Sequence, residues 1–174
     1  MRIIAGRWKG HTIQAPPGRD TRPTTDRVRE AWMSALQPLL ADARVLDLFA
    51  GSGSLGLEAL SRGAGHATFV EQSGSAIRAL RANIERLGAE DVTVVRAEAT
   101  RYVERLEAGA FDVAMADPPY GRGHAGTLVR LFERRPFAAW LWVEHRSDEL
   151  LPELVGARTR RYGDTALTSI PRPE

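Results

Sequence analysis

Apolar residues along this chain fall into two alternating patterns. Short, nearly continuous runs occupy residues 44–50, 66–71, 92–97, 111–116 and 138–144, and between them apolar residues recur every three or four positions. Continuous runs suit parallel strands buried on both faces, and the longer period suits helices that cover them. The predicted helices start at Thr24 or Thr25, continue from Gly56 through Leu60 to a stop at Gly63, and cover 75–87, 100–108 and 127–134, with a short helical piece at 150–155. In the first of these, Val28, Trp32, Ala35, Leu36 and Leu39 share one face, while Arg27 and Arg29 lie off it and are expected to meet solvent or RNA. Residues 159–162 and 166–170, joined through Gly163 and Asp164, read as a terminal antiparallel hairpin. Strands alternating with helices give an α/β domain with a mostly parallel sheet.

Ahead of that alternation, residues 2–5 and 11–14 carry strand-forming side chains around the tip Gly6, Arg7, Trp8, Lys9 and Gly10, which predicts a β-hairpin with a basic end. Two roles are open for Trp8: stacking on a base, or packing on its own domain.

With 174 residues the chain can build one substantial core but not two ordinary domains. An extension over 1–40 seated on a main domain over 41–174 is therefore expected. The hydrophobic fraction is 43%, no apolar run approaches eighteen residues, and the N-terminus lacks a signal-peptide core, so a soluble, cytoplasmic protein with no membrane association is expected. There is no cysteine, which excludes disulfides, thiolate nucleophiles and Cys-type zinc sites. The four histidines are not spaced as ligands, and no metal is expected.

Charge changes the picture by its distribution. Lys9 is the sole lysine among 24 basic residues, and the net charge is only +2, yet residues 1–40 carry +4 and the remainder −2. Positive charge gathered at one end is what a phosphate-contacting arm needs.

Two stretches carry the candidate chemistry. The first follows the run ending at Ala50, where Gly51-Ser52-Gly53-Ser54-Leu55-Gly56 forms a glycine-rich turn into a helix. Such a turn admits a ligand close to its backbone N–H groups, and Glu71, at the end of the next strand, can accept both hydroxyls of a ribose. A dinucleotide would fit this spacing equally well. Asp47 argues for S-adenosylmethionine instead, because a carboxylate at the strand end suits an ammonium and would repel a pyrophosphate; the chain also has no room for a dehydrogenase's substrate domain. Glu98, between Ala97 and Ala99, can accept from an adenine amino group.

The second stretch is Asp117-Pro118-Pro119-Tyr120, at the end of the fourth run. An exocyclic amine on a nucleobase is a poor nucleophile because its lone pair is delocalised into the ring. Bonds from its N–H groups to the Asp117 carboxylate and Pro118 carbonyl would hold it with the lone pair aimed at a methyl donor, while Tyr120 stacks on the base, worth about 1–3 kcal/mol. The prolines stiffen the turn and remove competing donors.

These motifs together resemble a class I S-adenosylmethionine-dependent methyltransferase. With the opening Arg2-Ile3-Ile4-Ala5-Gly6, the cluster Arg22-Pro23-Thr24-Thr25-Asp26-Arg27 and the closing Tyr162-Gly163-Asp164-Thr165, the chain more narrowly resembles the RsmD family, which methylates the 2-amino group of one guanine in bacterial 16S ribosomal RNA. The resemblance implies a Rossmann-like fold with a seven-stranded, mostly parallel sheet ending in an antiparallel hairpin. Donor contacts are then expected at Asp47, Phe49, Ala50, Gly51, Ser52, Gly53, Glu71, Gln72, Ala97, Glu98 and Asp117, with S-adenosylhomocysteine as product. Catalytic contacts are expected at Asp117, Pro118, Pro119 and Tyr120, and RNA contacts at Arg7, Trp8, Lys9, Arg22, Thr24, Arg27 and Arg122. The expected partner is 16S RNA in an assembled or assembling small subunit, met by a monomer. Two alternatives stay open: an amino-methyltransferase acting on adenine or on a protein glutamine, and a non-catalytic RNA-binding module that keeps the fold.

Overall fold

The computed structural model describes residues 1–16 and 26–174. Strand formers in the five apolar runs produce β1 (Arg44–Leu48), β2 (His66–Glu71), β3 (Val92–Arg96), β4 (Phe111–Ala116) and β5 (Ala138–Arg146), all parallel where they pair. The closing hairpin supplies β6 (Arg158–Tyr162) and β7 (Thr165–Pro171), and β7 runs antiparallel to β5. The order β3-β2-β1-β4-β5-β7-β6 makes one seven-stranded sheet. The expected fold class holds.

Helices cover both faces because every central strand is apolar on both sides. On one face lie α1 (Asp26–Leu40), α2 (Ser54–Ser61) and α3 (Gly74–Leu87), with Trp32, Met33, Leu36, Leu57 and Leu80 in a common core that also takes in Ile3, Trp8 and Ile13. On the other lie α4 (Ala99–Val103) and α5 (His124–Arg134), where Leu128, Val129 and Phe132 pack on Leu46, Ala114 and Leu141.

The structure corrects several expectations. Helix α4 stops at Val103 rather than running to 108, since the carbonyls of Glu104 and Leu106 are drawn aside to accept from Arg135. No helix forms over 150–155: Pro152 sits mid-segment without an N–H, and Leu151 and Leu154 pack inward while Leu150 and Val155 stay exposed. The N-terminal segment does fold back on itself as expected: Arg2 and Thr12 form an antiparallel bridge, and backbone bonds join Ile3 to His11 and Gly10 and Ile13 to Met1. Side chains of the main domain take up further backbone groups of the segment. Glu58 of α2, fully buried, accepts from the N–H groups of Ile4 and Ala5, and Ser61 Oγ accepts from Trp8 N–H.

Arg29 is also not where the helical pattern put it. Its guanidinium is buried at the joint between α1 and the N-terminal segment, where Nη2 donates to the Arg2 carbonyl and to Asp26. Burial pulls its pKa below the ordinary arginine value, although Glu58 and Asp26 oppose that shift. The predicted start of α1 at Thr24 or Thr25 lies outside the described residues.

Candidate active site

β1 has β2 on one side and β4 on the other, so the chain reverses its direction of winding at β1 and leaves a crevice above the carboxyl ends of β1 and β4. Leu48 is in register with Ala116, which sets Phe49 and Asp117 side by side as the two strands end. The glycine turn and the Asp-Pro-Pro-Tyr stretch thus open onto one crevice.

Local backbone geometry marks the same place. Phe49 has φ 58°, a left-handed conformation rare for a bulky residue and commonest where a site demands it. Gly53, at φ 87°, starts α2 with no side-chain cap, and its own N–H turns back to the Ala50 carbonyl at 2.8 Å. Gly56 is needed for packing: a Cβ there would lie 2.3 Å from the Phe69 ring. Only glycine lets α2 come down onto β2 at that point.

Three carboxylates converge beneath the turn. Asp47, buried at the end of β1, accepts from Gly56 N–H at 2.9 Å through Oδ2. Burial raises its pKa well above the usual carboxylate range, that hydrogen bond opposes the shift, and the nearby Asp117 and Glu71 reinforce it. Glu71 accepts from Gly51 N–H at 2.8 Å and from the N–H groups of Gln72 and Ser73 at 3.1 and 3.0 Å, which ties the ends of β1 and β2 together. Such a cluster repels an anion and attracts a cation. Among the described residues, no group of three His, Cys, Asp or Glu side chains is arranged to hold a metal ion.

Glu98 caps α4, accepting from Thr100 N–H and Arg101 N–H, both at 3.0 Å, and from the Thr100 hydroxyl. Burial pushes its pKa up, yet these bonds and the nearby His124 more than offset that and hold it low. His124, the first residue of α5, lies 5.1 Å from the Phe49 ring. Ala97 stands half-buried between the end of β3 and this cap.

In the Asp-Pro-Pro-Tyr stretch, Pro118 is buried, Asp117 and Tyr120 are half-buried and Pro119 is exposed. Tyr120 donates its hydroxyl to Glu144 on β5 at 3.2 Å and shares a 3.0 Å bond with the Thr165 hydroxyl at the start of β7. The closing Tyr-Gly-Asp-Thr motif is thereby tied to the Asp-Pro-Pro-Tyr stretch through its threonine.

Of the residues expected to meet RNA, Arg7, Lys9, Arg27 and Arg122 are exposed, and Arg22 and Thr24 lie outside the described residues. Trp8 is a correction. Its ring packs into the core beside Ile3 and Ile13, and the Arg7 guanidinium covers it at 4.1 Å, so it is not free to stack on a base. Residue patterns did not single out Glu58, Asn83 or Glu144. The signal existed for two of them: Glu58 is a carboxylate within the apolar run of α2, and Asn83 falls on the inward face of α3 between Leu80 and Leu87.

A family model described as "Conserved hypothetical protein 95" matches residues 1–170. Ribosomal RNA small subunit methyltransferase D of Escherichia coli K12 is 37% identical over 155 residues, spanning 87% of this chain and 78% of the relative. The chain belongs to the RsmD family of methyltransferases. A solved structure described as a putative methyltransferase from E. coli superposes with a TM-score of 0.86 at 35% identity, over 99% of this chain and 97% of its own. The Thermus thermophilus 16S rRNA N2 guanine methyltransferase RsmC, solved with AdoMet and guanosine, superposes with a TM-score of 0.73 over 99% of this chain and 49% of its own; at 19% identity it speaks for the fold alone. RsmD membership accounts for the N-terminal and C-terminal motifs that lie outside the two half-sites.

Proposed function

We propose that this chain transfers the methyl group of S-adenosylmethionine to the exocyclic 2-amino group of a guanine in 16S ribosomal RNA. The observation that carries the reading is the placement of the donor turn and Asp117 at adjacent strand ends across the β1/β4 crevice. The carboxylate cluster of Asp47, Glu71 and Asp117 fits a donor that carries positive charge and would reject a pyrophosphate. Asp47, Phe49, Ala50, Gly51, Ser52, Gly53, Glu71, Gln72, Ala97 and Glu98 would hold that donor, which supplies a methyl group on an already electrophilic sulfonium. Asp117 and the Pro118 carbonyl accept the two N–H groups of the base and turn its lone pair toward the donor side. Tyr120, held by Glu144 and Thr165, offers its ring as a wall for the base. Orientation supplies most of the acceleration, and no strong base is required.

Residues 1–40 form the RNA-facing extension of the domain over 41–174, with Arg7, Lys9 and Arg27 for phosphates, and Arg122 beside the acceptor turn. The substrate is RNA in an assembled or assembling small subunit, met by a monomer in the cytoplasm. Incubation with labelled S-adenosylmethionine and either naked 16S RNA, small subunits or DNA, followed by nucleoside analysis, tests the reading. N2-methylguanine from ribosomal RNA is the expected product, and Asp117→Ala should nearly abolish it while sparing donor binding. Label on N6-methyladenine would overturn the acceptor assignment.

A further inference from the structure

The N-terminal segment is fastened to the main domain at three side chains, and one of these also holds the donor turn. Glu58 and Ser61 grip residues 4–8. Asn83 grips Gln14: its Oδ1 accepts from Gln14 N–H at 2.9 Å, and its Nδ2 donates to the Gln14 carbonyl at 2.9 Å. The second Nδ2 hydrogen goes to the Ser52 carbonyl at 3.0 Å. Both amide donors are used, and the side chain is almost wholly buried. Gln14 is thus paired by an amide that imitates a neighbouring strand, two residues before the described part of the segment ends at Pro16.

The Ser52 carbonyl is an informative atom to hold. It belongs to the peptide between Ser52 and Gly53, and it is flanked by Gly51 at φ 56° and Gly53 at φ 87°. The N–H of the same peptide, on Gly53, donates to the Ala50 carbonyl at 2.8 Å, and Gly51 N–H is held by Glu71. Asn83 grips this planar peptide from its carbonyl side, so a side chain outside the turn completes the set of bonds that fixes it.

We propose that Asn83 is a positioning residue that couples the RNA-facing N-terminal segment to the donor turn, so that seating of the segment and donor binding strengthen each other. The inference rests on the donor and RNA reading given above. Coupling of this kind is reciprocal, and it needs a shared element with a definite geometry, which the three bonds of one amide provide.

Asn83→Ala and Ser61→Ala are to be compared with the unaltered protein, by calorimetric titration with S-adenosylhomocysteine and by initial rates against RNA concentration. Ser61 also fastens the segment, but its hydrogen bonds reach no residue of the donor turn. Both substitutions should raise KM for RNA. Asn83→Ala should weaken S-adenosylhomocysteine binding by roughly fivefold to tenfold for the bonds lost, and Ser61→Ala by less, since it reaches the turn only through the seating of the segment. Asn83→Asp keeps the size and the acceptor for Gln14 N–H but sets a carboxylate against two carbonyls, and should show the same donor defect. Should neither variant fold, amide exchange in the unaltered protein decides: S-adenosylhomocysteine should slow exchange at Gln14. Unchanged donor affinity in a folded Asn83 variant, or no slowing at Gln14, would overturn the coupling. An unaltered protein that binds no S-adenosylhomocysteine would instead remove the donor reading beneath it.

Discussion

The hydroxyls of Tyr120 and Thr165 lie 3.0 Å apart, joining the turn after β4 to the first residue of β7, forty-five positions later. Burial pushes the Tyr120 pKa up to about 12, with Glu144 and Asp117 adding to the shift, so the phenol stays protonated and keeps donating to Glu144. Tyr120→Phe retains the ring and loses the tether. Methyl transfer should fall about tenfold, in line with the loss of a charge-assisted bond, and Tyr120→Ala should cost at least another tenfold through lost stacking. Initial rates at saturating donor would check both.

Asp47 binds its proton more tightly in the folded chain than in the unfolded one, because burial raises its pKa and Asp117 and Glu71 add to the shift. Stability from this group is therefore present at low pH and lost as pH rises through the folded-state pKa. Asp47→Asn should raise Tm of the donor-free protein near neutral pH and abolish the further rise that S-adenosylhomocysteine gives the unaltered chain. Thermal melts with and without the product test both halves.

Gly56→Ala would place a methyl group 2.3 and 2.8 Å from two carbons of the Phe69 ring and 3.1 Å from Asp47 Oδ2. Overpacking of this sort costs about 1–3 kcal/mol. Denaturant midpoints should drop accordingly, and donor affinity should fall with them, because α2 can no longer sit where it holds Asp47.

His145 is buried on β5, with Nδ1 2.9 Å from the Arg146 carbonyl and Nε2 2.7 Å from the Thr168 hydroxyl. Those partners fit the neutral ring, Nδ1–H donating and Nε2 accepting. Burial lowers its pKa from 6.5, with Arg161 assisting and the Arg146 carbonyl and Glu149 opposing. The unfolded chain then binds the extra proton first, so stability should decline as pH falls below about 6.5. Urea midpoints across the acid side should flatten in His145→Gln.

Arg7 and Lys9 are exposed at the tip of the N-terminal segment. Reversing both charges should weaken RNA binding, reduce its dependence on salt and leave S-adenosylhomocysteine affinity unchanged. Filter binding across a salt series is the check.

The α/β alternation and the two motifs at the ends of β1 and β4 were legible because glycine turns, a strand-ending carboxylate and continuous apolar runs are local signals. Tertiary pairings were not. Arg29 lies off the apolar stripe of α1, and nothing near it in sequence says that the Arg2 carbonyl will meet it inside. Trp8 read equally well as a stacking platform or as core, and the choice depended on the wall that Ile3, Ile13 and α1 build around it. The segment over 150–155 kept a helical spacing of leucines, which Pro152 overrode.

The fastenings of the first residues have a consequence for synthesis. Ile4 waits for Glu58, fifty-four positions later, and Gln14 for Asn83, sixty-nine positions later. The basic segment therefore emerges first and stays unattached until α2 and α3 have followed it. A growing chain cannot seat its basic first residues before it has made the glycine turn and the helices that follow it.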